Sequence, residues 1–248
     1  MSGVNAVVLG GGSPDDSLAR RYGVPAKPLV PVAGRPMAAY VLDALRASGV
    51  VDRVVYVGPA AGLEPAPEVV LAQRGGMLEN LEAGLSVAGE EKALVVSADD
   101  PFLTPEAVRW VVAHAPEAAL VYPVVPREAV EARWPGMRRT YARLREGQFT
   151  GGNLVLLDPA LFRGALDMAR RVIALRKRPL ALARLVGLDI LWKLLWGRLA
   201  IAEVEARASR ILGVPLRALV TPYAEVGVDV DKETDLVWLE GVVDANRA

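Results

Sequence analysis

Three short stretches carry residue types whose chemistry and spacing suit a polyphosphate and a divalent cation. The first runs Leu9-Gly10-Gly11-Gly12-Ser13 and is followed by Pro25-Ala26-Lys27-Pro28-Leu29. Glycines after a strand let backbone N–H groups approach phosphate oxygens, and a lysine adds a point charge to the same anion. Neither familiar phosphate loop fits. A Gly-x-Gly-x-x-Gly turn needs glycine where Asp15 stands, and a Walker A loop needs Gly-Lys-Ser/Thr where the chain has Ala26-Lys27-Pro28. The second stretch, Asp99-Asp100-Pro101, follows a strand. Adjacent carboxylates there need a cation to offset their repulsion and can share it with nucleotide phosphates. The third, Gly227-Val228-Asp229-Val230-Asp231, reads as a strand that sends Asp229 and Asp231 to one face, and Asp231 also suits the N-cap of the helix after it.

The elements that must position these residues alternate between strand and helix. Ala6–Leu9 and Ala93–Val96 are short apolar runs, as in strands buried on both faces, Arg53–Gly58 and Ala119–Tyr122 read as further strands, and a Pro-rich loop leads to the apolar Val69–Leu71. Between them, Pro36–Ser48, a segment after Gly75-Gly76, and Thr104–His114 show helical apolar spacing or start signals. A long loop through Pro25, Pro28 and Pro31 joins the first strand to the first helix. Tyr141–Asp158 reads as a strand pair turned at Glu146-Gly147. Residues 159–213 hold no strand pattern and read as two or three helices, with turns near Arg178-Pro179 and Gly197. A terminal helix from Lys232 packs Leu236, Leu239 and Val243. The expected class is α/β, with ligands at the C-terminal edge of a mostly parallel sheet.

The run from Leu9 to Met37 resembles the opening signature of the MobA-like and sugar-phosphate nucleotidyltransferases: strand, Gly-rich loop, Pro-x-Lys-x-Leu, Pro, then Gly-x-Pro before a helix. The matching residues are Gly10, Gly11, Gly12, Pro25, Lys27, Leu29, Pro31, Gly34 and Pro36, with Ala26 as an extra residue. The resemblance implies a GT-A-like, Rossmann-related α/β/α fold spanning 1–248 as one nucleotidyltransferase domain, with the helical insertion at about 159–213 inside it. It implies a nucleoside triphosphate along Leu9–Gly12, with Lys27 catalytic and Arg20 the nearby arginine for the phosphates. Asp99 would hold the catalytic Mg2+, with Asp231 ahead of Asp229 as the second ligand. Gln73, Gly75 and Gly76 fall where such enzymes read the base, and Gly152 and Asn153 where the acceptor binds; Glu225 is added as an acceptor contact. The implied reaction moves a nucleoside monophosphate to a phosphorylated or hydroxyl acceptor and releases pyrophosphate.

Composition narrows the field. The 248 residues are 52% apolar and 23% charged, which suits a folded chain. Lys plus Arg and Asp plus Glu both number 29, leaving no net field to hold a nucleic acid. There is no cysteine and a single histidine, His114, which excludes thiol chemistry and multi-histidine metal sites and leaves His114 an ordinary helix residue. No leader is read before Ala6, so a cytoplasmic protein is expected, and Val186–Ile201 is broken by Asp189, Lys193 and Arg198, short of a spanning segment. Arg170, Arg171, Arg176, Lys177 and Arg178 lie beside the apolar stretch Leu180–Ile201 with Trp192 and Trp196. A lobe helix or homodimer face with a solvated basic side is preferred there over peripheral membrane contact through the 164–201 helices. Two rival functions remain: a GT-A glycosyltransferase using a nucleotide-sugar, and a nucleotide- or sugar-binding regulatory protein without activity.

Overall fold

The computed structural model describes residues 3–175, 179–236 and 238. Its first half runs β1 (Val4–Leu9), α1 (Ser17–Tyr22), the small hairpin β2 (Pro31–Val32) and β3 (Arg35–Pro36), α2 (Met37–Ala47), β4 (Val51–Val57), β5 (Val69–Leu71), α3 (Met77–Ala88), β6 (Ala93–Ser97) and α4 (Pro105–His114). The second half runs β7 (Leu120–Pro126), α5 (Arg127–Arg133), β8 (Ala142–Leu144), β9 (Gly147–Gly151), β10 (Leu154–Leu157), α6 (Pro159–Phe162), α7 (Leu166–Leu175), α8 (Pro179–Val186), α9 (Leu188–Leu195), α10 (Ile201–Leu212) and β11 (Leu216–Val220).

The main sheet has the order β5-β4-β1-β6-β10-β7-β9-β8, with β11 added to β7. Only β9 and β10 run against the other strands, so the sheet is mostly parallel. Alternation along β1 explains why its run is apolar throughout. Val4, Ala6 and Val8 pack with Val41 and Leu45 of α2 and Val108 and Val111 of α4. Val7 packs on the other face with Leu78, Leu81 and Leu85 of α3. A strand covered on both faces has no polar side to show, and the result is a Rossmann-like α/β fold with helical layers on either side.

Several elements depart from the sequence reading. The expected loop after β1 contains α1, capped by Asp16, whose carboxylate accepts from the Leu18 and Ala19 N–H groups, and closed by Gly23 in the left-handed region at φ 66°. Helix α5 was also unread. The strand pair at 141–158 is the β8–β9 hairpin, while β10 inserts between β6 and β7. Residues 226–231 are not a strand: a 3-10 turn at Ala224–Gly227 leads into an extended segment joined to β6's end by Val230 N–H donating to the Asp99 carbonyl at 3.1 Å. The strand of that region is β11, parallel to β7. The described residues of 159–213 hold five α-helices rather than two or three, α6 to α10, and Gly197 turns α9 into the approach to α10 at φ 62°. The terminal helix starts at Glu233 with Leu236 buried, while Leu239 and Val243 lie outside the described residues. Arg176, Lys177 and Arg178 do so too. No helix among the described residues is long and apolar enough to cross a membrane.

Candidate active site

The C-terminal ends of β1 and β6 lie side by side, because Leu9 pairs with Ser97 and the Ala98 N–H donates to the Leu9 carbonyl. Beyond β1 the glycine loop turns over Tyr56 of β4. A Cβ at Gly10 would overlap the Tyr56 ring, so glycine is required there for close packing. Beyond β6 comes Asp99. The 226–231 segment crosses this edge, held by Asn153 N–H donating to the Val226 carbonyl at 2.8 Å as well as by Val230 on Asp99. Asp229 and Asp231 thereby reach Asp99.

Carboxylate oxygens of Asp99, Asp229 and Asp231 all lie within 4.8 Å of one another, close enough to hold one cation. The Lys27 ammonium already sits among them, 2.5 Å from Asp99 Oδ2 and 2.9 Å from Asp231 Oδ1. Three carboxylates at this spacing have the oxygen-donor chemistry that a hard divalent cation takes. Burial works to lower the Lys27 pKa, but the charges and hydrogen bonds of Asp99 and Asp231 outweigh it and hold it above the ordinary lysine value. Lys27 returns the effect: burial would raise Asp231, yet Lys27's bond and charge leave it below the ordinary carboxylate value. Asp229 differs. The Arg139 guanidinium binds its Oδ1, its carbonyl at 3.1 Å and the Gly227 carbonyl at 3.2 Å, yet burial outweighs the guanidinium and its carboxyl stays raised. Asp231 is the more exposed of the two carboxylates, at 59% against 22% for Asp229.

Next to this trio, Asp100 is fully buried with neither carboxylate oxygen bonded among the described residues. Burial, then the negative Asp229, Asp99 and Glu225, push its pKa well up.

Two clefts open from the site. One, of about 740 Å³, is walled by Leu9, Gly11, Gly12, Gln73, Gly75 and Gly76, with Asn80 and Ser97 deeper in. The other, of about 960 Å³, is walled by Arg138, Arg139, Thr140, Thr150, Asp229 and Asp231, with Lys232 at its side. They share Tyr122, Gly152 and Asn153. A distortion of β9–β10 explains this junction: three steps along β7 from Val124 to Val121 face five from Gly151 to Leu156. The two extra residues, Gly152 and Asn153, bulge towards the clefts. Asn153 Nδ2 is buried without a partner among the described residues, which leaves it a donor for a ligand.

The structure thus brings together Leu9, Gly11, Gly12, Gln73, Gly75 and Gly76 on one side, Lys27, Asp99, Asp229 and Asp231 at the centre, and Gly152 and Asn153 between the clefts. Gln73 clasps the glycine loop, its Oε1 accepting from Gly12 N–H at 2.9 Å and its Nε2 donating to the Gly12 carbonyl at 3.2 Å. Arg20 is turned onto Asp15 at 3.1 Å and lines neither cleft. Glu225 accepts from the Thr104 hydroxyl at 2.7 Å and lines neither cleft. Asp231 is not a cap: the Asp235 carboxylate accepts from the Asp231 and Lys232 N–H groups instead. His114 stacks on Trp110 within α4. Sequence reasoning missed Arg139 and Tyr56. Arg139 had no local signal, because its partner Asp229 is 90 residues away.

An α/β sheet with a cation-competent carboxylate cluster and a glycine loop at its C-terminal edge defines a nucleotide-handling protein of the doubly wound type. The chain belongs to the MobA-like NTP transferase domain family, which it matches over residues 6–188. It is similar to a solved hypothetical transferase of Thermus thermophilus, at 64% identity and a TM-score of 0.90, over 94% of this chain and 99% of that one. It is 33% identical to the bifunctional protein GlmU of Exiguobacterium sibiricum over 51% of this chain and 29% of that protein. It is 37% identical to the 2-C-methyl-D-erythritol 4-phosphate cytidylyltransferase of Nocardia farcinica over 33% of this chain and 39% of that one. The matched segments thus span well under half of these curated relatives.

Proposed function

We propose that this NTP transferase moves a nucleoside monophosphate from a nucleoside triphosphate to a phosphorylated or hydroxyl-bearing small molecule. The observation that carries the reading is the carboxylate trio of Asp99, Asp229 and Asp231, with the Lys27 ammonium held between Asp99 and Asp231, at the C-terminal edge of the sheet. The glycine-loop cleft takes the nucleotide. Its glycine loop lets phosphates approach the backbone closely, and Gln73, which clasps Gly12, lies with Gly75 and Gly76 on the base side. The second cleft takes the acceptor, with Asn153 Nδ2 as a donor between the two.

Asp99 and Asp231 are the proposed ligands of Mg2+, with Asp229 beside them tied to Arg139. When bound, the metal supplies positive charge to the phosphate oxygens. Lys27, released from the carboxylates, turns its charge on the triphosphate. The acceptor oxygen forms a bond to the α-phosphorus as the bond from that phosphorus to the bridging β-phosphate oxygen breaks, and pyrophosphate leaves with that electron pair. Positioning and charge stabilisation carry such a reaction without histidine or cysteine.

The test is a thermal-shift screen with each nucleoside triphosphate, with and without Mg2+, followed by product analysis with candidate acceptors. A Mg2+-dependent rise in Tm for one nucleotide, absent in Asp99→Ala, and released pyrophosphate are expected. Free nucleoside diphosphate from a nucleotide-sugar would move the assignment to a glycosyltransferase. Tight binding without turnover would make the protein a sensor.

A further inference from the structure

We propose that the outward face of α9 is a membrane-interfacial surface that seats the protein on an anionic bilayer. Helix α9 is apolar on two sides. Ile190 points inward and is buried, and Leu194 is half-buried, while Leu188, Trp192, Leu195 and Trp196 form an outward stripe at 65%, 61%, 78% and 68% exposure. These are the four most exposed large apolar side chains among the described residues. Spacing of i, i+4, i+7 and i+8 puts them on one face, so water meets a continuous apolar surface rather than scattered residues.

The charges around the stripe select the occupant. The acid on α9, Asp189, is bound by Arg207 at 2.6 Å, and Glu203 of α10 is bound by Lys193. Arg198 borders Trp192 and Trp196 and has no side-chain partner among the described residues. The Arg143 side chain lies against Gly197 in the turn after α9. An apolar stripe rich in tryptophan, rimmed by unpaired arginine with its acids already neutralised, has the make-up of a helix lying in a headgroup layer. A second copy of the chain would have to bury more than this stripe: two tryptophans and two leucines at these exposures offer on the order of 500 Å² of the roughly 800 Å² per partner in a stable interface. Arg170 plays no part: it is bound to Glu82 at 2.5 Å and Asp167 at 3.1 Å.

The seat is coupled to the clefts. The turn after α9 is fixed to the β8–β9 hairpin, with Arg145 N–H donating to the Leu199 carbonyl at 2.9 Å and Ile201 N–H to the Glu146 carboxylate at 3.2 Å. Strand β9 then runs from Gly147 to Gly151 at the second cleft. At about 3.4 Å per residue that strand spans ~14 Å, which links the turn after α9 to the edge of the second cleft.

The experiment is co-sedimentation of the whole chain with phosphatidylcholine vesicles with and without phosphatidylglycerol, at low and high salt, together with quenching of tryptophan fluorescence by brominated lipid. Binding to the anionic vesicles is expected, weakening severalfold with salt and in Arg198→Glu, and tenfold or more in the double variant Trp192→Ser/Trp196→Ser. Quenching disappears in the double variant because Trp110, Trp134 and Trp238 lie elsewhere. Absence of binding to anionic vesicles at low salt overturns the proposal. So does a dimer in sedimentation that the double variant dissolves without any vesicle binding, which would make the face a self-interface. Arg198→Glu, a surface change, keeps the test valid should the double variant fail to fold.

Discussion

On the proposed reading Lys27 takes the place of a divalent cation, so its replacement tests the site apart from the fold. Lys27→Met removes the ammonium that bridges Asp99 and Asp231 and leaves Asp229 paired with Arg139. Tighter Mn2+ binding in the absence of nucleotide is expected, read by electron paramagnetic resonance, with pyrophosphate release reduced roughly a hundredfold. Unchanged metal affinity would mean that the ammonium does not compete for the site. Asp100 makes a separate prediction. Its carboxyl is raised in the folded state, so the native state holds the proton more tightly than the unfolded chain does. The resulting destabilisation is absent below the ordinary carboxyl value of 3.8 and grows as pH rises through it. Asp100→Asn is expected to raise stability near pH 7 by about 1–3 kcal/mol, with the gain vanishing at acid pH, as followed by urea unfolding across pH. A loss at neutral pH would show that Asp100 is needed as an anion.

At the scale of elements, the site depends on where strands end and what crosses them. Thr104 illustrates the coupling, because its hydroxyl caps α4 through the Ala107 N–H at 3.2 Å and also donates to Glu225 of the crossing segment at 2.7 Å. Thr104→Val removes both and leaves Glu225 partly buried without its partner. A cost of about 1–2 kcal/mol is expected, seen as a lower midpoint in denaturant at unchanged slope. The bulge at Gly152-Asn153 is a second such device. A Cβ at Gly152 would meet the Pro123 carbonyl and Val226 at 3.0 Å, so a larger residue there displaces the crossing segment as well as filling the mouth of both clefts.

For the whole molecule, the segment after β11 closes the fold as well as the site. Val226, Val228 and Val230 are fully buried in the core layer that holds α2 and α4. At about 1.5–3 kcal/mol for each buried side chain, their loss is comparable to the net stability of an ordinary domain, about 5–15 kcal/mol. A chain ending at Pro222 is therefore expected to lose cooperative thermal unfolding, monitored by calorimetry, rather than to fold as an inactive remnant. A sharp transition from that fragment would show the closing segment to be an accessory.

Much of the sheet was legible locally. The apolar runs of β1, β6 and the second half of β4 are buried on both faces, and that pattern depends only on a few consecutive residues, whereas β5 at the sheet edge leaves Val70 exposed. Pro36, Thr104 and the apolar spacing behind them set the starts of α2 and α4 in the same way. The same local reading placed Asp99 at a strand end and Lys27 behind a glycine loop. Other features were beyond it. Asp229 and Asp231 reach Asp99 through an extended segment tied at Val226 and Val230 and not through a strand, and α1 depended on one aspartate cap that the proline-rich surroundings obscured. The bulge that aims Asn153 exists only because β10 pairs with both β6 and β7. Lys27 and Asp231 are 204 residues apart, and Arg139 and Asp229 are 90 apart. Apolar period and capping are properties of neighbours in sequence, so they could be read in advance. Which carboxylate meets the lysine and which is held by arginine depends on how distant strands register, and only the folded chain decides that.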